Sequence, residues 1–227
     1  MTYRGDPSLI GRDRSAWLRA IYRKLPPIFL AGTKVEFPIY PFNRRAVAFH
    51  EAGHVVLGSV FSLPITSAVV HEKPDDTGEA GKIHMDLEGI QRRAASVDED
   101  KIPHAMLQEA ALEIAAMYVA GHLAMLYHYQ HRIDGWLDID DLDYRNARSV
   151  LRKAFHSDLP LYFCHRLAQA VLAETWDWVS AIAAVLETKG EIDIGESKIQ
   201  ARELAAIQAE LAAQAAPRIF LGGFDGQ

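Results

Sequence analysis

Cysteine is nearly absent from this 227-residue chain, with Cys164 standing alone. That excludes a disulfide framework and a cysteine-rich metal site, and it suits a reducing compartment. The first fifteen residues are polar and charged and lack the apolar core of a signal peptide. No long apolar run is free of polar interruption: the most apolar stretch, residues 110–127, contains Glu113 and His122 and reads as a buried helix rather than a membrane span. A phosphate-binding GxxxxGK loop is missing, since Gly78-Glu-Ala-Gly-Lys82 has neither the spacing nor the following Ser or Thr. Excess positive charge is missing as well. Lys and Arg number 24 against 30 Asp and Glu, a net charge of −6 that speaks against bulk nucleic-acid binding. These absences lead to the expectation of a cytoplasmic protein with no transmembrane segment.

Apolar residues make up 49% and charged residues 24%, the composition of an ordinary globular chain. The charge is uneven. Residues 1–45 carry nine Lys/Arg against three Asp/Glu, which is +6 and leaves −12 for the remainder. Such a basic N-terminal segment, residues 1–42, is either solvated or suited to docking an acidic partner. Trp17, Leu18, Ile21 and Tyr22 have helical spacing within residues 15–24, and residues 28–40 read as irregular or extended. A helix is expected from a cap at Asn43 to about residue 61, before Pro64. Residues 65–71 read as a strand, 73–81 as a hairpin loop and 82–86 as the returning strand. Further helices are expected over residues 103–129, 143–156, 161–188 (ending at Gly190) and 199–214, before a glycine-rich tail. The fold class is mainly α with one small hairpin or sheet. No linker or repeat divides it, so residues 43–195 and the C-terminal helix and tail at 196–227 belong to one globular unit.

The segment Phe49-His50-Glu51-Ala52-Gly53-His54 carries chemistry. Four residues of α-helix turn the chain by about 400°, so His50 and His54 lie on one face, one turn apart. Two imidazoles so placed can share a Zn²⁺ ion whose third protein ligand comes from elsewhere, and Glu51 can act as general base toward its water. With ten histidines and fourteen glutamates, HExxH arises by chance in roughly 3% of such sequences. The alternative is therefore an amphipathic helix with two near-core histidines. Gly53 favours the metal reading, because a mid-helix glycine costs about 1 kcal/mol relative to alanine and is tolerated where another element approaches closely.

Beyond the pentapeptide, Ala48-Phe-His-Glu-Ala-Gly-His-Val-Val-Leu-Gly58 resembles the HEAGH helix of the peptidase domain of FtsH-type zinc proteases. Residues 63–70, the loop at 74–81 and Gly81-Lys-Ile-His-Met85 resemble the strand, glycine turn and strand that follow in that family. Tyr118-Val-Ala-Gly-His-Leu-Ala124 is similar to its AGRxAE helix, and Asp141-Leu-Asp-Tyr-Arg-Asn-Ala-Arg148 to its NDLxxAT segment. Residues 178–186 and Gly190-Glu-Ile192 are similar to its closing elements, so the likeness covers about residues 43–195. The chain departs from the family in lacking the AAA+ ATPase and membrane segments, and in carrying Met125 where AGRxAE has its glutamate.

The resemblance implies an aspartate third ligand at the start of a helix. Asp138, Asp140, Asp141 and Asp143 crowd that point. The four-residue step to Ala147 favours Asp143, while the Asp141-Leu142 pair keeps Asp141 as the alternative, and helix capping occupies at least one of them. Glu109 and Glu113 are weaker candidates for the third ligand. His128 and His131 read as capping or exposed residues, Trp176 and Trp178 as packing, and Cys164 as a structural thiol. The expected function is a zinc-dependent endopeptidase, ATP-independent within this chain, in which His50, His54 and Asp143 hold Zn²⁺ and Glu51 is the base. Its substrates would be peptides or unfolded protein segments, possible strand partners of residues 65–71 or 82–86. The rival expectation is a non-catalytic zinc-binding adaptor that keeps the same fold. Oligomeric state, a homo-oligomer included, stays open.

Overall fold

A computed structural model describes residues 10–37, 43–74, 76, 80–86, 104–131, 133 and 135–194, with side chains from residue 16 onward. The helix expected at 199–214 and the glycine-rich tail lie outside the described residues. The described part is mainly helical with small sheets. In chain order it runs α1 (Ile10–Tyr22), β1 (Lys34–Glu36), α2 (Arg44–Val60), β2 (Ile65–Val70), β3 (Gly81–Met85), α3 (His104–His128), β4 (Trp136–Asp138), α4 (Leu142–Phe155), α5 (Leu161–Glu174), α6 (Trp176–Lys189) and β5 (Glu191–Asp193).

The axis of the core is α3. Alanines and large aliphatics on nearly every side of it are buried, Ala115, Ala116, Met117, Ala120, Leu123 and Leu126 among them. It alone among the described helices is long and apolar enough to cross a membrane, and 67% of its most apolar stretch is buried inside the protein. A helix hydrophobic all round belongs in the middle of a bundle. Helices α2, α4 and α5 pack around it. Leu18 and Ile21 of α1 are buried in the same core, so this part of the basic N-terminal segment is docked on the body.

Helix α2 starts as its sequence requires, with the Asn43 side chain accepting the Arg45 N–H at 2.9 Å. Its crossing with α3 is close because Gly53 faces Ala120 and Ala124. A Cβ at position 53 would lie 2.6 Å from the Ala120 carbonyl oxygen and 2.8 Å from Ala124 Cβ.

Three features differ from the sequence expectation. The helix expected over 161–188 is two helices, α5 and α6, parted at Thr175, whose hydroxyl donates to the Val171 carbonyl at 2.8 Å while its own N–H closes the last turn. The segment expected to be irregular or extended holds β1, and its parallel partner β4, in the register Lys34–Trp136, Val35–Leu137 and Glu36–Asp138, was not expected. Gly135, at φ 153°, permits that pairing, since a Cβ there would strike the Thr33 carbonyl oxygen at 2.3 Å. The hairpin of β2 and β3 is extended by β5, giving an antiparallel sheet of order β3-β2-β5. Strand β2 is thus interior, and β3 and β5 form the edges.

The α2–α3 crossing can be tested. Gly53→Ala adds a methyl group against a backbone oxygen that cannot swing away, an overpacking cost of about 1–3 kcal/mol, against a helix-propensity gain of about 1 kcal/mol. The expected net result in urea unfolding is a loss of up to about 2 kcal/mol. A gain in stability would show that the crossing is looser than described.

Candidate metal centre

Helix α2 carries His50 and His54 on the face turned to α3, and the first turn of α4 carries Asp143. Their donor atoms converge. His50 Nε2 lies 3.0 Å from Asp143 Oδ2, His54 Nε2 lies 3.2 Å from the same oxygen, and the two Nε2 atoms are 3.0 Å apart. Neighbouring donors around a tetrahedral zinc ion lie about 3.3 Å apart, so two nitrogens and one oxygen at these separations suit that ion in spacing and in chemistry. The imidazoles fit because α3 presents Gly121 beneath them. A Cβ at Gly121 would lie 2.5 Å from His54 Nε2 and 2.7 Å from His50 Nε2.

The outer contacts orient these groups. His54 Nδ1 donates to the Met117 carbonyl of α3 at 2.9 Å, which turns Nε2 toward the cluster. Such a hydrogen bond on the far ring nitrogen is the usual support of a metal-bound histidine. Asp141 is the N-cap of α4, its Oδ1 accepting the Tyr144 N–H at 2.9 Å, so the segment delivering Asp143 is held by the helix it begins. Arg148 holds the strand just before it, donating to the Ile139 carbonyl at 3.0 Å and to Asp138 at 3.3 Å. Directly after Asp143, the buried Tyr144 hydroxyl and His165 Nε2 share a hydrogen bond at 3.1 Å that ties α4 to α5.

The electrostatics are those of a cation site. Burial alone would lower His54, yet the Asp143 charge and hydrogen bond, with Glu51 and the Met117 carbonyl, push it up to about 9. Burial, aided by His122 and His54, pulls His50 down to about 4 against the hydrogen bond from Asp143. Burial opposes ionisation of Asp143, but His54 and His50 together hold its carboxyl well below the usual range. The raised His54 beside the lowered Asp143 favours positive charge among these donors, where a divalent ion would also bind.

Glu51, 4% exposed, lies in the α2 wall beside His54. Strand β3 passes close over it: a Cβ at Gly81 would be 2.8 Å from Glu51 Oε1. Other sequence candidates lie elsewhere. Glu109 and Glu113 act on Tyr22 of α1, His128 stacks on Phe49 with ring centroids 4.2 Å apart, and Cys164 is buried, its thiol pushed up by desolvation. Trp176 stacks on Phe49, and Trp178 is core.

One residue of the site escaped sequence reasoning. His122 of α3 faces the cluster, and its Nε2 lies 2.7 Å from Asp141 Oδ2. The available signal was a histidine at the centre of an all-apolar helix, one step after Gly121, read there only as a polar interruption.

Because His54 holds a proton below about pH 9 and must release it to coordinate, zinc binding at pH 7.5 is expected to release about one proton. Affinity should then rise about tenfold per pH unit up to about pH 9. Titration calorimetry in buffers of different ionisation enthalpy measures both. His50→Ala and Asp143→Asn are expected to lower zinc affinity by more than about a hundredfold, beyond the effect of an outer-contact change. His128→Ala should leave it unchanged, and equal losses at His128 and Asp143 would dissolve the assignment.

No protein-family model matches this chain, and no curated protein is significantly similar to it.

Proposed function

We propose that the chain is a zinc-dependent endopeptidase acting on peptides or unstructured protein segments, with a peptidase domain of the FtsH type over about residues 43–195. One observation carries this reading: the two histidines of HExxH and Asp143, 89 residues further along, bring three lone-pair donors within 3.0–3.2 Å, with Glu51 buried alongside. The motif alone accounts for two of these donors. The third comes from a separate helix, at the aspartate that the four-residue step to Ala147 favours over Asp141.

His50, His54 and Asp143 would hold zinc, which would supply Lewis acidity for carbonyl polarisation and water activation. The protein's own groups do the rest. Glu51 accepts a proton from the attacking water as its oxygen bonds to the peptide carbon, then gives a proton to the departing amine as the C–N bond breaks. The Met117 carbonyl keeps His54 in the tautomer that faces the centre. An extended substrate has one fitting edge. Strand β2 is paired on both sides, whereas β3 has a free side among the described residues and starts against Glu51. Backbone hydrogen bonds to β3 would carry a peptide past the carboxylate by strand addition.

Glu51→Gln tests the chemistry. The amide keeps the side chain's shape and leaves both imidazoles in position, so folding and zinc content should be retained. It cannot take the proton, and cleavage of a denatured protein should fall by about 10²–10⁴-fold. ATP should leave the wild-type rate unchanged. A wild type that holds zinc but cleaves neither peptides nor unfolded proteins, while Glu51→Gln binds the same partners, would replace this reading with the adaptor.

A further inference from the structure

A fourth imidazole stands at the metal centre. His122, 9% exposed, is packed edge-on against His50, Phe37 and Tyr144, with ring centroids at 4.6, 5.1 and 5.5 Å. Three rings at these distances hold it in one orientation. Its Nε2 donates to Asp141 Oδ2 at 2.7 Å, and Asp141 is itself immobilised as the cap of α4. With Nε2 engaged by Asp141, Nδ1 is the ring nitrogen left to meet another partner. That atom is fully buried, has no hydrogen-bond partner and lies 4.0 Å from Asp143 Oδ2.

A buried ring nitrogen without a partner keeps its full desolvation cost. Most folds remove the cost by rotation or a capping donor, and here the surrounding rings and Asp141 block both. Carboxylate, imidazole and an outward lone pair in sequence make up the arrangement that supports metal-ligating histidines, as the Met117 carbonyl does for His54. His50, His122 and Asp143 each offer a ligand atom, all within 4.8 Å of one another.

We propose that His122 is a fourth protein ligand of the metal centre, through Nδ1, with Asp141 as its positioning residue. This rests on the metal site of the proposed function, but not on its peptidase activity. The 4.0 Å separation from Asp143 is wider than the 3.0–3.2 Å among the other three donors. Four protein donors with one wider separation depart from a regular tetrahedron, and zinc also accepts a fifth donor.

X-ray absorption at the zinc edge on the full, zinc-loaded chain decides the matter by counting imidazoles. Three are expected in the wild type, two in His122→Ala and three in Glu51→Gln. Zinc affinity should fall about 10–100-fold in His122→Gly and recover on adding free imidazole, a rescue that a purely packing role would not give. Two imidazoles in the wild type, or affinity that imidazole does not restore in a folded His122→Gly protein, overturns the proposal. Should the glycine variant fail to fold, the wild-type count still decides. Three imidazoles in a protein that cleaves nothing would overturn the peptidase reading and leave the fourth ligand standing. Two imidazoles in an active protein would do the reverse.

Discussion

Two imidazole nitrogens and a carboxylate oxygen are held within 3.2 Å of one another in the wall of an apolar bundle, and the rest of the structure is arranged around that constraint. Lone pairs so crowded repel unless a proton or a metal ion sits among them, and the raised His54 together with the lowered Asp143 is the mark of that demand. The convergence requires α2 and α3 to cross more closely than side chains usually allow. Gly53 removes the obstruction on one helix and Gly121 on the other. The first meets the backbone of α3, and the second meets the imidazoles themselves.

Close approach alone would leave the ligands free to turn. Orientation comes from groups that are paired elsewhere: the Met117 carbonyl behind His54, the Asp141 cap under the segment that ends in Asp143, and Arg148 on the strand before it. The β1–β4 pair closes the same region from the other side through Phe37 against His122. Asp141 and Arg148 are charged and half-buried, so the hydrogen bonds they make are charge-assisted, whereas the Met117 carbonyl acts from inside the core. A carboxylate that caps a helix with one oxygen and holds an imidazole with the other couples the start of α4 to the centre of α3. The site is stiff because its supports are shared.

The helical elements were legible because their determinants are local. Asn43 caps α2 and Gly190, at φ 83°, ends α6, both by rules acting over a few residues. The break at Thr175 was hidden because neither glycine nor proline marks it. At Thr175 the backbone leaves helical geometry, at φ −117° and ψ 17°, while the apolar periodicity runs on into Trp178 and Ile182. Strands β1 and β4 were hidden for another reason. Each has three residues, and they pair across about a hundred positions, so neither exists as a pattern until the other is brought to it.

The site divides along the same line. HExxH is a statement about one helix, and helix geometry by itself puts His50 and His54 on a common face with Glu51 about 100° round from His50; the sequence alone determined that much, and with it the chemistry the face can support. The four-residue step from Asp143 to Ala147 is also helical, which is why it could favour one aspartate in a crowd of four. Only the tertiary structure decided that this helix end meets that face, that Gly121 rather than a larger residue lies beneath the imidazoles, and that His122 turns toward them with Asp141 behind it. Those relations join residues tens of positions apart. Their physical basis is the packing of three helices at contact distance, which no local periodicity encodes.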